Sequence, residues 1–142
     1  MNAKYARTEP FEMSDRRWPA QQLTTSPAWC AVDLRDGNQA LPDPMTPRQK
    51  KRYFQLLTAI GFKEIEIGFP SASADDFQFC RDLIEEDLIP PDVTISVLTQ
   101  AREHLIKLTM EALRGAKKAI VHVYIATSDL HTGFVFNKTR EE

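Results

Sequence analysis

Short apolar segments alternate with amphipathic segments from residue 29 onward, and this alternation constrains the fold more than any other feature of the chain. The apolar segments predict strands over 29–34, 63–68, 93–98 and 119–125. The segments between them have apolar residues at helical spacing and predict helices over 46–60, 74–86 and 102–113. Strands that are separated by helices favour a parallel sheet with right-handed connections.

The predicted helix boundaries have the expected residue types. Thr46 followed by Pro47 is typical of a helix start, because a threonine can cap the first amides and a proline fits the first turn. Gly61 suits the end of the same helix. The acidic pair at 75–76 suits the first turn of the second helix. Residues 137–142 predict the beginning of a fourth helix.

Strand polarity separates a closed barrel from an open, doubly wound sheet. An open parallel sheet has helices on both faces, so its strands are apolar throughout. Here the second predicted strand places Ile65 and Ile67 on one face and Glu64 and Glu66 on the other. The third and fourth predicted strands alternate in the same way. We therefore expect an aliphatic face that meets the helices and a polar face that lines a barrel interior.

The predicted strand ends follow one another at intervals of roughly 30 residues, the pace of a (β/α)8 barrel that takes about 250 residues for eight units. This chain of 142 residues holds half of such a barrel. The fold prediction is therefore α/β: the N-terminal half of a (β/α)8 TIM barrel, with parallel strands and intervening helices. Residues 1–28 predict an extended N-terminal arm, and residues 29–142 a partial barrel domain that is truncated after strand four. An antiparallel sheet with one solvated face is the alternative, which the intervening helices disfavour.

Composition excludes several classes of function. The chain is 42% hydrophobic and 27% charged, with a net charge of -2, which is typical of a globular protein and favours neither nucleic acid nor an anionic membrane. No apolar run approaches the roughly 20 residues that span a bilayer. The polar start at 1–10 is not a secretory signal. Cys30 and Cys80 each lie in an apolar pattern, which predicts two reduced and buried thiols and fits a cytoplasmic enzyme.

The run from Asp33 to Gln39 concentrates polar groups at the end of the first predicted strand. Asp36 is a suitable ligand for a divalent cation. Arg35 offers planar donors to a carboxylate or to a developing enolate oxygen. The alternative is a surface ion pair between Arg35 and Asp36 in a turn. One carboxylate does not make a metal site, and the sequence contains no HxH, HExxH or CxxC motif.

Further candidates lie on the polar face of the later strands. His122 and Tyr124 are two residues apart on the fourth predicted strand and hence on one face. Both can hydrogen-bond a substrate carboxylate or oxyanion, and the alternative is a pair of interior side chains that are satisfied by their neighbours. Glu66, on the second predicted strand, is predicted to be an interior carboxylate that holds Arg35 or another cation.

Several motifs together resemble a known family. They are Trp29-Cys-Ala-Val-Asp-Leu-Arg-Asp-Gly-Asn-Gln-Ala-Leu41 with Asp43-Pro-Met45, then Lys63-Glu-Ile-Glu-Ile-Gly-Phe-Pro-Ser-Ala-Ser73, Val97-Leu-Thr-Gln100 and Ala119-Ile-Val-His-Val-Tyr124. In this order they resemble 2-isopropylmalate synthase, and the resemblance extends over about 18–137. The resemblance is specific because several motifs match in the same order along the chain.

The resemblance implies an acyltransferase of leucine biosynthesis. Such an enzyme condenses acetyl-CoA with 2-oxoisovalerate to 2-isopropylmalate in a metal-dependent Claisen reaction. The resemblance implies that Asp36 is a ligand of a divalent metal (Zn, Mg or Mn), and that Arg35 is a catalytic and substrate-binding residue that neutralises the keto or enolate oxygen. The other substrate-binding residues that it implies are Gln39, Leu98, His122 and Tyr124. It also implies a homodimer for the full-length enzyme.

This sequence differs from the family because it lacks one of the family's motifs. The family's metal-binding HxH motif lies on a later strand and is absent from these 142 residues. The isolated chain is therefore predicted to be inactive. A related enzyme of the same superfamily, such as a citramalate or homocitrate synthase or an aldol-type lyase, is an alternative, and so is a non-catalytic truncated product.

Overall fold

A four-stranded parallel sheet forms the centre of the molecule in a computed structural model that describes residues 13–15, 24–139 and 141. The strands lie side by side in chain order, and they are β1 (Cys30–Ala31), β2 (Glu64–Gly68), β3 (Thr94–Gln100) and β4 (Ala119–Tyr124). The helices are α1 (Pro47–Ile60), α2 (Ala74–Glu85), α3 (Glu103–Ala112) and α4 (Asp129–Phe134). Neighbouring strands are parallel, and a helix connects each strand to the next. This is the arrangement of half a (β/α)8 barrel, so the fold prediction is confirmed.

Most of the predicted N-terminal arm, 1–28, lies outside the described residues. Residues 24–28 are exposed and form neither helix nor strand, and the arm stays a prediction. Within the described ranges, each helix is too short or too polar to cross a membrane.

Local sequence sets the boundaries of α1 as predicted. The Thr46 hydroxyl accepts a hydrogen bond from the Gln49 amide, and the Gln49 side chain accepts one from the Thr46 amide at 2.9 Å. This reciprocal capping satisfies amides that a helix start otherwise leaves unpaired. Pro47 follows in the first turn. The helix ends at Gly61, whose φ of 112° lies in the left-handed region that favours glycine.

The core lies between the helices and one face of the sheet. Ile65, Ile67, Ile95 and Val97 are buried on that face, as predicted for β2 and β3. The helical side chains that are buried in the same cluster include Phe54, Leu57, Phe79 and Leu83. β4 differs, because Val123 is 48% exposed and α4 contains no buried residue. β4 therefore departs from the expectation that the aliphatic face of each strand is buried against the helices.

The predicted strand over 29–34 is too long. β1 ends at Ala31, and the chain then winds into a π-helical turn at 33–37. This turn buries Leu34 completely. An extended continuation would place successive side chains on opposite faces, whereas the turn sends Leu34 into the core and leaves Arg35 beside β2.

The end of the chain also differs from its prediction. Residues 137–139 and 141 are not helical, and residues 140 and 142 lie outside the described residues. The helix α4 lies earlier, at 129–134, and was not predicted. Ser128 begins it, since its hydroxyl accepts a hydrogen bond from the His131 amide at 3.3 Å. The signal for α4 was this serine followed by an acidic first turn.

The two cysteines differ in their surroundings. Cys80 is buried, as predicted, and its thiol donates a hydrogen bond to the Ala112 carbonyl at 3.4 Å. The prediction of a buried Cys30 is wrong, because the next residue, Ala31, faces the core and Cys30 is exposed on an edge strand. Both thiols are free. Burial raises the pKa of Cys80 to about 12, and partial burial and the neighbouring Glu64 carboxylate raise the pKa of Cys30.

In the native protein at pH 8, we expect an aromatic disulfide reagent to modify Cys30 and to leave Cys80 unmodified. The thiolate is the reactive form, so a pKa of about 12 keeps Cys80 protonated at this pH. Modification of Cys30 should accelerate as the pH rises toward its raised pKa. Peptide mass spectrometry locates the modified thiol, and both thiols should react in urea. Modification of native Cys30→Ser protein at the rate seen in urea would contradict this prediction.

Candidate functional site

The turn at 33–37 sets the position of the first site residues. The Val32 carbonyl accepts hydrogen bonds from the amides of residues 35, 36 and 37, at 3.3, 2.8 and 3.3 Å. This wide turn is anchored by Leu34 in the core. It presents Arg35 toward β2 and Asp36 toward solvent, and the two side chains form an ion pair with 2.6 Å between Nη1 and Oδ1.

Glu66 is the centre of the site. Glu66 is only 4% exposed, although its side chain ends in a carboxylate. One carboxylate oxygen accepts a hydrogen bond from Nε of Arg35. The other lies 3.1 Å from Nδ1 of His122 on β4. The predicted pairing of Glu66 with Arg35 is confirmed, and the carboxylate on β2 joins the turn at 33–37 to β4.

The strand register places the remaining candidates beside this cluster. Leu98 on β3 is the register partner of His122 on β4, and Gln100 is the partner of Tyr124. Partners in register point to the same face of a parallel sheet, so Leu98 and His122 are neighbours there. The structure therefore brings together Arg35, Leu98, His122 and Tyr124 on the polar face.

Gln39 is not part of this cluster. It is exposed two residues beyond the turn. Within 24–139 no hydrogen bond joins its side chain to another residue. Its neighbour Asn38 is buried instead, and the Asn38 side-chain oxygen accepts a hydrogen bond from the Met45 amide at 2.7 Å. Asn38 thus holds the loop between the turn and α1.

Phe69 belongs to the run at 68–73, whose sequence predicts a small apolar wall near the pocket but not the side chain that this wall contacts. The ring of Phe69 lies edge-on to Tyr124, with 6.3 Å between the ring centroids and an angle of 75° between the planes. Edge-on contact is a favourable geometry for aromatic rings. Phe69 follows directly after β2, so this contact links the end of β2 to β4 across β3. Local sequence does not predict this contact, because it joins segments from strands that are not adjacent in the sheet.

The described residues fit one ligand of a metal site and not a complete site. Asp36 has a 61% exposed side chain and an oxygen with no partner among these residues. Glu66 is engaged by Arg35 and His122. Across 13–15, 24–139 and 141, no three His, Cys, Asp or Glu residues form a group that could hold a metal ion. A metal bound here would need further ligands besides Asp36.

The cluster of Arg35, Glu66 and His122 lies at a position in the fold that is typical of active sites. A guanidinium, a buried carboxylate and an imidazole at the carboxyl ends of parallel strands are typical of the active-site end of a (β/α)8 barrel. The family model described as HMGL-like matches residues 26–142, which is most of the chain. The chain belongs to the HMGL-like family.

Individual relatives match most of this chain at high sequence identity. The chain is 58% identical to the 2-isopropylmalate synthase of Clostridium acetobutylicum over 139 residues, which cover 98% of this chain and 25% of that protein. It is 58% identical to the enzyme of that name from Corynebacterium glutamicum, over 94% of this chain and 22% of the relative. For Clavibacter sepedonicus the identity is 62%, over 92% of this chain and 22% of the relative. The predicted resemblance is confirmed, and the chain spans about a quarter of the length of these relatives.

Proposed function

We propose that this chain carries the 2-oxo acid side of the active site of a 2-isopropylmalate synthase. Such an enzyme is an acyltransferase of leucine biosynthesis, which condenses acetyl-CoA with 2-oxoisovalerate. The observation that carries the proposal is the cluster in which Glu66 joins Arg35 to His122. The similarity to enzymes named 2-isopropylmalate synthase supports the choice of reaction. A cytoplasmic location, and a homodimer at full length, are part of the same proposal.

In this proposal Arg35 binds the oxygen that becomes negatively charged. Its Nε donates to Glu66 and its Nη1 to Asp36, so Nη2 is left to donate to the keto acid or to the enolate. A guanidinium that is held in place before the reaction stabilises developing charge without having to reorganise. Glu66 is the positioning residue, because it fixes one side of the guanidinium plane.

His122 has a defined orientation in the same cluster. An ionised Glu66 can only accept hydrogen bonds, so Nδ1 of His122 donates to it and Nε2 faces away from it. The side chain is 52% exposed, which leaves Nε2 accessible to a bound keto acid. We assign Leu98 to the apolar branch of 2-oxoisovalerate and the Tyr124 hydroxyl to its polar end, while Gln39 would approach only when substrate is bound.

Asp36 is assigned as one ligand of a divalent metal, Zn, Mg or Mn. A metal ion supplies Lewis-acid polarisation of the ketone when it is bound. The exposed oxygen of Asp36 is compatible with this role. Its additional ligands would come from groups other than the described residues.

We expect 2-oxoisovalerate at millimolar concentration to protect His122 from acylation by diethyl pyrocarbonate. The bound keto acid should cover Nε2, whereas His104 and His131, which lie outside the cluster, serve as internal controls in the same peptide digest. Pyruvate and 2-oxoglutarate should protect less, since neither carries the branched apolar group that Leu98 would contact.

Several outcomes distinguish the proposal from its alternatives. Stronger protection by pyruvate would favour a citramalate synthase, and stronger protection by 2-oxoglutarate a homocitrate synthase. Equal modification of His122 with and without every keto acid would refute the proposed binding site.

A further inference from the structure

We propose that the ion pair between the buried Lys50 and the partly exposed Asp76 positions the wall of the 2-oxo acid pocket, acting through Phe69 on Tyr124. The inference rests on the proposed function in one respect, because it takes Tyr124 to be part of that pocket. Among the described residues, the side chains of Lys50 and Asp76 form no hydrogen bond or ion pair with Arg35, Glu66 or His122. They are therefore positioning residues and not catalytic ones.

Lys50 is an unusual residue for the inside of a protein. It is 2% exposed and lies on the buried face of α1, four residues before Phe54 and in the same stripe as Leu57. Its ammonium group bonds to Oδ1 of Asp76 and lies 5.6 Å from the centre of the Phe79 ring. Burial of an ammonium group is costly without such partners, so the pair is kept at a free-energy cost that an apolar residue would avoid.

The second oxygen of Asp76 reaches the loop that follows β2. Oδ2 accepts a hydrogen bond from the Phe69 amide at 2.7 Å. The carboxylate thus joins α1, through Lys50, to the first residue of this loop. Lys50 holds the orientation of the carboxylate, because it occupies the oxygen that Phe69 does not use.

Gly68 allows this close approach. A Cβ atom at position 68 would lie 2.8 Å from Oδ2 of Asp76, closer than ordinary contacts permit. The glycine is needed here for the space that it leaves, since its φ is not in the left-handed region. An alanine would displace the carboxylate while both charges of the ion pair remain.

The last link is the edge-on contact between Phe69 and Tyr124. The ring of Phe69 is half-buried, and Tyr124 is on the exposed strand β4. A shift of the Phe69 backbone would move its ring and change the face that Tyr124 presents to a ligand. Asp76 therefore acts on Tyr124 through one backbone amide and one aromatic contact.

A second ion pair between the same helices provides a matched control. Lys51 on α1 pairs with Asp82 on α2 at 2.8 Å. That pair also joins the two helices, but it makes no bond to the loop after β2. Both ion pairs can hold α1 and α2 together. Only the pair of Lys50 and Asp76 is proposed to position Tyr124 as well.

The test compares K50M/D76L, K50M/D76N and K51M/D82N in the full chain. NMR spectra of protein with isotope-labelled tyrosine report the surroundings of the Tyr124 ring. The Tyr124 signals are identified by their absence in Tyr124→Phe. Titration with 2-oxoisovalerate gives the Kd for this ligand. In K50M/D76L the ring-current shift from Phe69 should disappear and the Kd should rise by about tenfold, the low end for loss of an outer-shell partner. K50M/D76N should recover only part of both, because asparagine still offers an oxygen to the Phe69 amide but no ammonium group holds that oxygen in place. K51M/D82N should match the wild type.

Each outcome decides the inference. Unchanged Tyr124 signals in K50M/D76L with cooperative unfolding would overturn it, and so would equal changes in K51M/D82N. If K50M/D76L does not fold, Gly68→Ala takes its place, and unchanged Tyr124 signals in that variant would be equally fatal. Absence of 2-oxoisovalerate binding by the wild type would reject the proposed function alone, because the Tyr124 signals still decide whether the ion pair positions this ring.

Discussion

Replacement of Glu66 by leucine is expected to lower the free energy of unfolding by about 3 kcal/mol, the low end of the range for removing one partner of a buried ion pair. The loss arises because Arg35, whose side chain is only 18% exposed, would keep its charge without its buried partner. His122 would lose its hydrogen bond as well. The remaining pair between Arg35 and Asp36 is too exposed on the Asp36 side to compensate. Urea unfolding followed by circular dichroism measures the change.

Two further variants separate charge from shape in this prediction. Glu66→Gln keeps an acceptor for Arg35 and should cost about 1.5 kcal/mol, the value of a charge-assisted hydrogen bond. The double variant R35M/E66L removes the buried charge together with its partner and should recover to within about 1 kcal/mol of the wild type. A double variant as unstable as Glu66→Leu would show that the loss comes from packing at position 66. The slope of the unfolding transition should stay constant throughout, as a check on two-state behaviour.

The fold was predictable because its main signals are local. The helix start at Thr46 and the helix end at Gly61 depend on side chains within a few residues of each other. The alternation of Ile65 and Ile67 with Glu66 determined which face of β2 meets the helices. The boundaries of β1 were wrong because the burial of Leu34 depends on the core that surrounds it, and this tertiary contact overrides the extended pattern of the preceding residues.

The site was predictable only where two features shared one face of the sheet. The pairing of Glu66 with Arg35 followed from a carboxylate on the polar face of β2 and a cation at the end of the neighbouring strand. The contact of Phe69 with Tyr124 did not follow, because it joins strands that are not adjacent. Sequence periodicity specifies a face but not the distance between two loops.

The pairing of Lys50 with Asp76 had a sequence signal that was not used. Lys50 occupies the apolar stripe of α1 that Phe54 also occupies, and Asp76 lies four residues before the buried Cys80 on α2. Opposite charges in the apolar stripes of two consecutive helices indicate a buried ion pair, because neither charge could be buried alone. The preference for acidic residues in a first helical turn explains the position of Asp76 in α2 but not its partner.

The isolated 142-residue chain is expected to show no acetyl-CoA-dependent release of CoA above the rate without protein. Two features of the chain support this expectation. Among the described residues no three His, Cys, Asp or Glu side chains form a group that could hold a metal ion, and a divalent metal held by Asp36 without such a group binds weakly. The sequence also contains no HxH motif that could supplement it. A thiol-detecting assay with 2-oxoisovalerate and added Zn, Mg or Mn measures the rate, with the full-length enzyme from Corynebacterium glutamicum as the positive control.

Inactivity alone would not distinguish a missing metal site from a missing pocket, so the assay is paired with the protection of His122. If the pocket forms without the remaining metal ligands, 2-oxoisovalerate protects His122 in a chain that has no turnover. Binding then depends on the cluster of Arg35, Glu66 and His122, and the chemical step depends on groups that the described residues do not supply. Sustained CoA release that requires both 2-oxoisovalerate and Asp36, and that is lost in Asp36→Asn, would contradict the prediction and show that one carboxylate of this chain is sufficient for the reaction.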